Sequence, residues 1–276
     1  MYSRVYVEIT NICNMNCSFC HGHNRPPRQM TEAEYAHILD QLTGKTQYIY
    51  HHLMGEPLIH PLLPRFIQMA HQAGFRPMLT TNGTLLDRCQ DVLLSEGLHK
   101  INISLHSFEG DQQADHRRYI QSVANFAKNA NQAGILISMR LWNNGYDEGK
   151  NQITLDILKE NIPGEWSENT RGYRIRDRLF LEWGDRFAWP DQNAPDYGDR
   201  LFCHGLGDHF GILSNGTVVP CCLDSDGIIA LGNVFQEPLS DILSSPRARA
   251  IAEGFRQRKA TEDLCRRCGY AQKFNK

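Results

Sequence analysis

The chain has 276 residues, of which 41% are hydrophobic and 22% charged, and its formal net charge is −2. This near-neutral balance gives no support for nucleic-acid binding, which calls for a basic face toward the phosphates. The N-terminal residues MYSRVYVEIT lack the apolar core of a secretory signal, and no apolar run reaches the length of about 18 residues that predicts a membrane span. We therefore expect a cytoplasmic protein without a membrane or nucleic-acid partner.

The hydrophobic pattern switches repeatedly between a period of two and a period near 3.6, which predicts alternating strands and helices. Thr31 and Glu34 form the sequence signature of a capping box at the first helix, and Gly74, Gly97 and Gly134 are typical of helix C-termini. The predicted strands cover residues 5–10, 48–52, 77–81, 100–105, 136–142 and 179–183. Six strands with helical segments between them predict a parallel sheet of βα units, in an open or partial barrel rather than a closed eight-stranded one.

The pattern changes near Pro190, where the aperiodic stretch WPDQNAPDYGDR is typical of a linker. Two short β runs then flank Asn215-Gly216, which predicts a hairpin, and a helical segment follows that Pro246 can break. We therefore expect two domains, 1–190 and 191–276. The second would consist of a β-hairpin and a following helix.

Nine cysteines stand in a chain for which we expect a reducing compartment, where disulfides are rare. Eight of them fall into two groups, which predicts metal ligands. The first group is Cys13, Cys17 and Cys20, and the second is Cys203, Cys221, Cys222, Cys265 and Cys268. The ninth, Cys89, lies in a helical pattern and is interpreted as a small buried residue, with a hydrogen-donating thiol as the alternative.

The first group has the spacing C-x3-C-x2-C on a loop directly after the first predicted strand, the position of active sites in parallel βα folds. Iron–sulfur clusters are normally held by four thiolates, so three would leave one iron of a [4Fe–4S] cluster open to another ligand. A zinc site completed by His21 or His23 is the alternative.

These residues, with three later motifs, resemble the radical S-adenosylmethionine (SAM) superfamily. CNMNCSFC matches its CxxxCxφC signature, where φ is aromatic, and GEP, TNG and ISL follow in the family's order near predicted strand ends. The resemblance covers about the first 190 residues and implies a partial (β/α)6 barrel. It also implies that SAM chelates the open iron and is reductively cleaved to a 5′-deoxyadenosyl radical.

The same resemblance implies roles for individual residues. Cys13, Cys17 and Cys20 would hold the catalytic cluster. Arg140 would pair with the SAM carboxylate, unless it belongs to a surface ion pair, and His106 departs from the acidic residue that usually follows ISL. The remaining SAM contacts implied by the motifs are Gly55, Glu56, Pro57, Thr81, Asn82 and Ser104.

The second group resembles the twitch domain, the shortened form of the SPASM domain that follows many radical SAM barrels. In that family Cys203, Cys221, Cys265 and Cys268 would hold one complete auxiliary [4Fe–4S] cluster, and a four-cysteine zinc ribbon is the alternative. Cys222 competes with Cys221, but neighbouring strand residues point to opposite faces, and the family's G-x4-C spacing favours Cys221. We therefore expect two [4Fe–4S] clusters in all.

A closed cluster has no free iron for substrate, so its expected task is to accept an electron from the substrate radical. The chain is similar here to radical SAM dehydrogenases of the 2-deoxy-scyllo-inosamine type, which implies oxidation of a small polyol or aminocyclitol-like substrate. The alternative is a maturase that introduces a crosslink, a thioether or an epimerisation in a ribosomal peptide. Either enzyme implies a flavodoxin- or ferredoxin-like reductant. A plain electron carrier would not explain the missing ligand.

Several other polar residues lie near predicted strand ends but are interpreted as structural. The histidines could face a substrate, yet a hydrogen-bonded structural role is the preferred interpretation for each. The segment after the fourth strand is interpreted as the surface of a helix start. These residues are His21, His23, His51, His52, His60, Asp115, His116 and Arg117.

Overall fold

The computed structural model describes residues 1–95, 97–110 and 115–274. Within these residues eleven strands form one sheet in the order β11-β10-β9-β1-β2-β3-β4-β5-β8-β7-β6. The strands are β1 (Arg4–Val7), β2 (Tyr48–His51), β3 (Arg76–Thr81), β4 (Lys100–Ser104), β5 (Leu136–Asn144), β6 (Ser167–Asn169), β7 (Gly172–Arg176), β8 (Leu179–Asp185), β9 (His209–Ile212), β10 (Thr217–Val219) and β11 (Gly232–Asn233).

The centre of the sheet is the predicted partial barrel. Strands β1, β2, β3, β4, β5 and β8 are neighbours in this order and are all parallel. Among the described strands the sheet stays open, since its order runs from β11 to β6 without closing. The helices are α1 (Glu32–Leu42), α2 (Leu63–Gln72), α3 (Leu86–Ser95), α4 (His116–Gln132), α5 (Lys150–Asn161), α6 (Leu239–Leu243), α7 (Pro246–Arg256) and α8 (Asp263–Arg266).

Local sequence signals explain how these elements begin and end. The side chain of Thr31 accepts from the backbone of Glu34, and the Glu34 carboxylate accepts from the backbone of Thr31, so the predicted capping box forms at α1. In β1 the alternation places Val5 and Val7 in the core under the helices, fully buried, which stabilises the fold by about 1.5–3 kcal/mol for each side chain. The intervening Tyr6 faces the inside of the barrel, where it lines a cavity.

The structure differs from the prediction most clearly at a missed hairpin and at the end of the first strand. The hairpin β6–β7, which pairs antiparallel with the edge of β8, was missed because β6 reads SEN and is exposed throughout, so it carries no hydrophobic alternation. The first strand ends at Val7 instead of residue 10. The next residue, Glu8, turns its carboxylate to buried partners from other segments.

The C-terminal segment extends the barrel sheet. Residues 186–208, all of them described, contain no helix or strand, and β9 then pairs parallel with β1. The predicted hairpin at Asn215-Gly216 joins β9 to the antiparallel β10, with Gly216 at φ 86°. The helical segment is broken before Pro246, where α7 begins after α6 has ended at Leu243. Residues 275–276 of the predicted second domain lie outside the described residues. None of the helices in the described ranges combines the length and apolarity that crossing a membrane requires.

Candidate functional site

A cavity of about 710 Å³ lies at the carboxyl ends of the parallel strands. Its wall combines residues from the N-terminal cysteine loop, the strand ends and the C-terminal segment. All three cysteines of the first group line it, together with Cys203, Cys221, Cys222 and Cys268 of the second. Of the predicted SAM contacts, the wall includes Gly55, Glu56, Thr81, Asn82, Ser104 and Arg140.

The loop that carries the first cysteine group leaves β1 and is closed at its base. The backbone N–H of Met30 donates to Ile9 (2.8 Å), which brings the two ends of the loop together. Within the loop Cys13 and Cys20 are exposed, whereas Cys17 is half-buried and its sulfur lies 3.5 Å from the carbonyl oxygen of Ser107. The three thiols therefore sit at one end of the cavity, accessible both from solvent and from inside.

Side chains from neighbouring loops fix the cysteine loop over the barrel. The Asn82 side-chain amide donates to Asn14 (2.9 Å), and Asn14 in turn donates to the hydroxyl of Thr84 (2.9 Å). From the C-terminal side, the indole N–H of Trp189 donates to the carbonyl oxygen of Phe19 (3.1 Å). The loop is thereby tied both to the end of β3 and to the segment that follows β8.

Gly55 lies against the start of the cysteine loop so closely that no side chain fits. A Cβ there would stand 2.5 Å from the carbonyl oxygen of Thr10 and 2.8 Å from that of Ile12, and the backbone adopts φ 76°, a region that favours glycine. The next N–H, of Glu56, donates to the carbonyl oxygen of Ile12 (2.8 Å). The glycine of GEP thus allows the β2 loop to touch the cysteine loop backbone to backbone.

The carboxylate of Glu56 is buried and accepts from three protein donors. It accepts from the Thr81 hydroxyl (2.7 Å), the Asn82 N–H (2.7 Å) and the Leu58 N–H (3.0 Å). Burial outweighs these bonds and raises the pKa of Glu56 to about 7. Its neighbour Pro57 begins a short 3₁₀ helix, Pro57–Ile59. In this structure the GEP carboxylate therefore joins the loop after β2 to the loop after β3.

Ser104 and Arg140 are register partners on β4 and β5, and both side chains line the cavity. The Arg140 guanidinium stacks over Trp142 (4.5 Å to the ring centroid), and its Nε lies 3.6 Å from Glu182, too far for a hydrogen bond. Among the described residues this buried Nε has no hydrogen-bond partner. Burial lowers the pKa of Arg140. Arg140 thus faces the cavity, forms an ion pair with Glu182 and keeps one buried donor, Nε, without a hydrogen-bond partner.

His106, which departs from the family's acidic residue, is part of the cavity wall. Burial lowers its pKa to about 4, so the imidazole is neutral at pH 7. Its Nδ1 lies 3.1 Å from the carbonyl oxygen of Arg140, and its ring packs 4.7 Å from that of Phe19 in the cysteine loop. The imidazole of His106 thus packs against the aromatic residue of the cysteine loop.

The second cysteine group surrounds a small cavity with otherwise largely apolar walls. Cys203, Cys221, Cys265 and Cys268 all line it, together with Leu201, Ile229, Phe255 and Leu264. Three of these cysteines also line the large cavity, so the two spaces adjoin. Cys222 is absent from the small cavity and packs instead against the apolar cluster of Leu53, Met54, Leu213 and Val219.

These thiols have the chemistry that an iron–sulfur cluster requires. Burial raises the pKa of Cys203 to about 11, so a thiolate at neutral pH needs a cation beside it, which iron supplies. The backbone N–H of Gly205 already donates to the Cys203 sulfur (3.3 Å), as hydrogen bonds to cluster thiolates do.

The sulfurs of neither group meet at one point. Within the described residues, no three His, Cys, Asp or Glu side chains converge closely enough to hold a single metal ion. A zinc ion takes all its ligands at about 2.0–2.3 Å, whereas a four-iron cluster binds each thiolate through a separate iron.

The remaining histidines have different surroundings. His51 is fully buried and contacts the Tyr35 hydroxyl (2.6 Å), while His60 contacts the carbonyl oxygen of Met30 (3.0 Å), so their structural interpretation is confirmed. His52 and His23 line the large cavity. His21 lies beside it and stacks with Trp189 at 6.0 Å.

Two further groups lie away from the cavity. The Asp115 carboxylate caps α4 by accepting from the Arg118 N–H (3.2 Å), and Arg117 pairs with Glu160 on the surface (2.7 Å), as the helix-start interpretation predicted. Cys89 is half-buried and packs against the core.

Sequence reasoning missed a buried ion pair beneath the cysteine loop. Glu8, fully buried, accepts two hydrogen bonds from the Arg25 guanidinium at 2.8 and 2.7 Å. The available signal was a carboxylate that directly follows an apolar strand and an arginine on the loop after the cysteines. Neither residue belongs to a motif, and their pairing depends on how the loop folds back.

Two family models match the chain in separate regions. The radical SAM superfamily matches residues 7–142, and the SPASM family, an iron–sulfur cluster-binding domain, matches residues 203–269. Together they cover both cysteine groups and most of the cavity wall. The chain therefore belongs to the radical SAM superfamily. Within it, the chain is one of the proteins that carry a C-terminal SPASM domain.

Curated relatives align with part of the chain. The GTP 3′,8-cyclase of Chlorobaculum tepidum is 31% identical over 112 residues, which are 39% of this chain and 34% of that protein. The AdoMet-dependent heme synthase of Methanosarcina barkeri is 31% identical over 102 residues, 36% of this chain and 29% of that protein. The chain spans about a third of the length of the curated relatives it matches.

Solved structures share the fold along nearly the whole chain. BtrN in complex with AdoMet and 2-DOIA aligns with a TM-score of 0.62 and 19% identity over 97% of this chain and 93% of that one. SuiB of Streptococcus suis bound to S-adenosylmethionine aligns with a TM-score of 0.62 and 17% identity over 99% of this chain and 72% of that one. Native anSMEcpe with bound AdoMet aligns with a TM-score of 0.63 and 12% identity over 97% of this chain and 86% of that one. Identities this low establish the fold alone.

Proposed function

We propose that the chain is a radical SAM oxidoreductase that oxidises a small substrate with the help of two [4Fe–4S] clusters. One observation carries this proposal: a three-cysteine group and a four-cysteine group line adjoining cavities within one fold. A group of three leaves one iron free for SAM, and a group of four leaves none. Two such groups in adjoining cavities suit a reaction that begins at one and ends at the other.

At the first group, Cys13, Cys17 and Cys20 would hold the catalytic cluster. The residues proposed to contact SAM line the same cavity, apart from Pro57, which lies beside it. The carbonyl groups around Gly55 would accept from the SAM ammonium, and the Arg140 guanidinium, whose Nε has no hydrogen-bond partner among the described residues, would pair with the SAM carboxylate. The full set of proposed SAM contacts is Gly55, Glu56, Pro57, Asn82, Ser104 and Arg140.

At the second group, Cys203, Cys221, Cys265 and Cys268 would hold the auxiliary cluster. Cys221 rather than Cys222 is the proposed ligand because only Cys221 of the two lines the small cavity. When bound, the first cluster and SAM would supply a 5′-deoxyadenosyl radical, which removes a hydrogen atom from the substrate. The auxiliary cluster would accept the electron that the substrate radical gives up. Oxidation of an alcohol to a ketone then releases one hydrogen atom, one electron and one proton.

The size of the cavity supports a small-molecule substrate. The volume of about 710 Å³ must hold SAM beside the substrate, because the proposed SAM contacts line the same cavity, and this favours a small substrate. A polyol or aminocyclitol-like substrate is proposed on the resemblance to the dehydrogenase type, to which the fold of BtrN adds support. Peptide modification is the second candidate, since SuiB bound to precursor peptide SuiA shares the fold with a TM-score of 0.54.

The remaining features of the proposal follow from the surface and the chain. A flavodoxin- or ferredoxin-like reductant would approach the first group, where Cys13 and Cys20 are exposed. The proposed boundary between barrel (1–190) and twitch domain (191–276) falls in the stretch without helix or strand. Cytoplasmic localisation is proposed because free, clustered cysteines suit a reducing compartment.

The test is release of 5′-deoxyadenosine. Anaerobically reconstituted, reduced protein incubated with SAM should release it, and Cys17→Ala should abolish the release. Cys265→Ala should leave SAM cleavage measurable but prevent oxidised product from forming. Wild-type protein that binds zinc without sulfide, or that leaves SAM intact, would refute the proposed function.

A further inference from the structure

A set of contacts outside both cysteine groups links the chain just after the first group to the chain just after Cys221 and Cys222. We call it the junction and define it by six residues. They are Glu8 just after β1, Asn24 and Arg25 on the return arm of the cysteine loop, Ser214 in the β9–β10 hairpin, and Ser225 and Asp226 on the C-terminal segment.

Glu8 is the centre of the junction. Besides the two hydrogen bonds from Arg25, its carboxylate accepts from the Ser214 N–H (3.0 Å), the Ser214 hydroxyl (2.9 Å) and the Met54 N–H (3.2 Å). A buried carboxylate is stable only when its charge and lone pairs are satisfied in this way. One side chain therefore holds together the cysteine loop, the loop after β2 and the C-terminal hairpin.

The second half of the junction is a direct contact between two arms, the return arm of the cysteine loop and the C-terminal segment at Ser225 and Asp226. The Arg25 Nε donates to the carbonyl oxygen of Ser225 (2.7 Å), and Asp226 accepts from both the backbone N–H (2.6 Å) and the side chain (3.1 Å) of Asn24. The Arg25 guanidinium thus bonds Glu8 and the C-terminal segment at once. Because it is planar and rigid, a shift of one arm changes its bonds to the other.

The junction is close in sequence to both cysteine groups. Asn24 follows Cys20 by four residues, and Ser225 follows Cys221 by four residues. Four residues of extended chain reach at most about 14 Å, so neither cysteine can move far while the junction holds. The contacts therefore anchor a chain segment next to each group of cysteines.

We propose that the junction couples the two cysteine groups, so that filling the second group orders the loop of the first. Glu8, Arg25 and Asp226 act as positioning residues: they touch neither group's sulfurs but hold the two arms in register. Coupling of this kind is reciprocal, so order in the first loop also favours the second group. The proposal goes beyond the proposed reaction and does not depend on the identity of the substrate.

Hydrogen exchange of the anaerobically reconstituted protein tests the proposal. Asp226→Ala should raise amide exchange in residues 13–20 by about 5- to 10-fold, although these residues do not contact Asp226, because the arm loses its anchor. Exchange in β2 to β5 should stay unchanged. The matched control is Asp241→Ala, an exposed carboxylate on α6 of the same C-terminal segment, which should leave residues 13–20 unaffected.

A second variant makes the coupling itself measurable. Cys268→Ala, which removes a proposed ligand of the second group, should also raise exchange in residues 13–20. Combined with Asp226→Ala it should add little, since both changes break the same connection. Additive effects of the two changes would overturn the proposal, as would unchanged exchange in residues 13–20 or a uniform rise throughout the sheet.

Arg25→Gln provides an independent check that removes the central guanidinium. It should reproduce the exchange pattern of Asp226→Ala, and global unfolding is recognised by a rise in all strands. If Arg25→Gln folds and leaves residues 13–20 unchanged, the proposal is wrong. Failure of the wild-type protein to cleave SAM would refute the proposed function while leaving these exchange measurements interpretable.

Discussion

The two cysteine groups share their chemistry and differ in their surroundings. In the first, Cys13 and Cys20 are exposed on a loop at the mouth of the barrel. In the second, all four proposed ligands are partly buried around a small cavity lined by Leu201, Phe255 and other apolar side chains. Cysteine thiols can thus form an open site or a closed one. The outcome depends on the number of cysteines and on how far the surrounding residues bury them.

The contacts that hold the two cysteine groups in place also differ. The first loop is held by polar contacts from several segments, such as Asn82 to Asn14 and Trp189 to Phe19. The second group is held by packing of α7 and α8, whose Phe255 and Leu264 are buried. A loop held by hydrogen bonds at its edges leaves its face free for a ligand, whereas a site enclosed by apolar packing excludes one.

The largest expected effect concerns the number of ligands in the closed group. Wild-type protein should contain about eight irons and eight acid-labile sulfides after anaerobic reconstitution, and Cys221→Ala should lower both to about four. Cys222→Ala is the matched control and should retain about eight, because Cys222 packs against Leu53 and Met54 outside the small cavity. Equal losses in the two variants would contradict the assignment.

The next effect concerns Gly55, whose backbone touches the start of the loop that carries the first cysteine group. Gly55→Ala places a Cβ 2.5 Å from the carbonyl oxygen of Thr10 and strains a backbone at φ 76°. It should destabilise the protein by about 2–4 kcal/mol and weaken SAM binding, as measured by chemical denaturation and calorimetric titration. Gly134→Ala has a similar φ of 80° but open space around it, so it should cost about 1 kcal/mol and leave SAM affinity intact.

A smaller effect is the pH dependence contributed by Glu56. Its pKa in the folded protein, about 7, lies above the ordinary value of 4.5, so folding favours the protonated form. The contribution to stability is fully present below about pH 4.5 and is lost as the pH rises through about 7. The unfolding free energy of wild type relative to Glu56→Gln should therefore fall by about 3 kcal/mol between pH 4.5 and 8.

Denaturation curves of both proteins at several pH values measure this difference. Thr81→Val removes the hydroxyl that donates to the Glu56 carboxylate at 2.7 Å, which should raise the pKa of Glu56 further. In this variant the stability contributed by Glu56 should therefore be lost at a higher pH than in the wild type. A difference between wild type and Glu56→Gln that is independent of pH would contradict the buried, proton-binding carboxylate.

The sequence predicted most of the fold because its signals are local. Hydrophobic patterning marked the six barrel strands β1, β2, β3, β4, β5 and β8, and the capping pair Thr31 and Glu34 marked the first helix. The β6–β7 hairpin escaped because its outer strand is exposed and polar. An exposed strand has no buried face, so its sequence does not alternate between hydrophobic and polar residues.

The candidate site was predictable where residue type and spacing carry the chemistry. The cysteines and the GEP, TNG and ISL motifs belong to this kind, and all of these segments contribute to the cavity wall or lie beside it. The pairing of Glu8 with Arg25 and the contact of Asn24 with Asp226 were not predictable. They join residues far apart in the chain, and only the folded arrangement of β1, the loop and β9 brings them together.

The central claim is that the two groups hold clusters of opposite accessibility, and electron paramagnetic resonance tests it directly. Two variants each retain one group: Cys265→Ala with Cys268→Ala, and Cys13→Ala with Cys17→Ala and Cys20→Ala. After reduction, SAM should change the cluster signal of the first variant and leave that of the second unchanged. A signal that responds to SAM in the second variant, or in neither, would contradict the account.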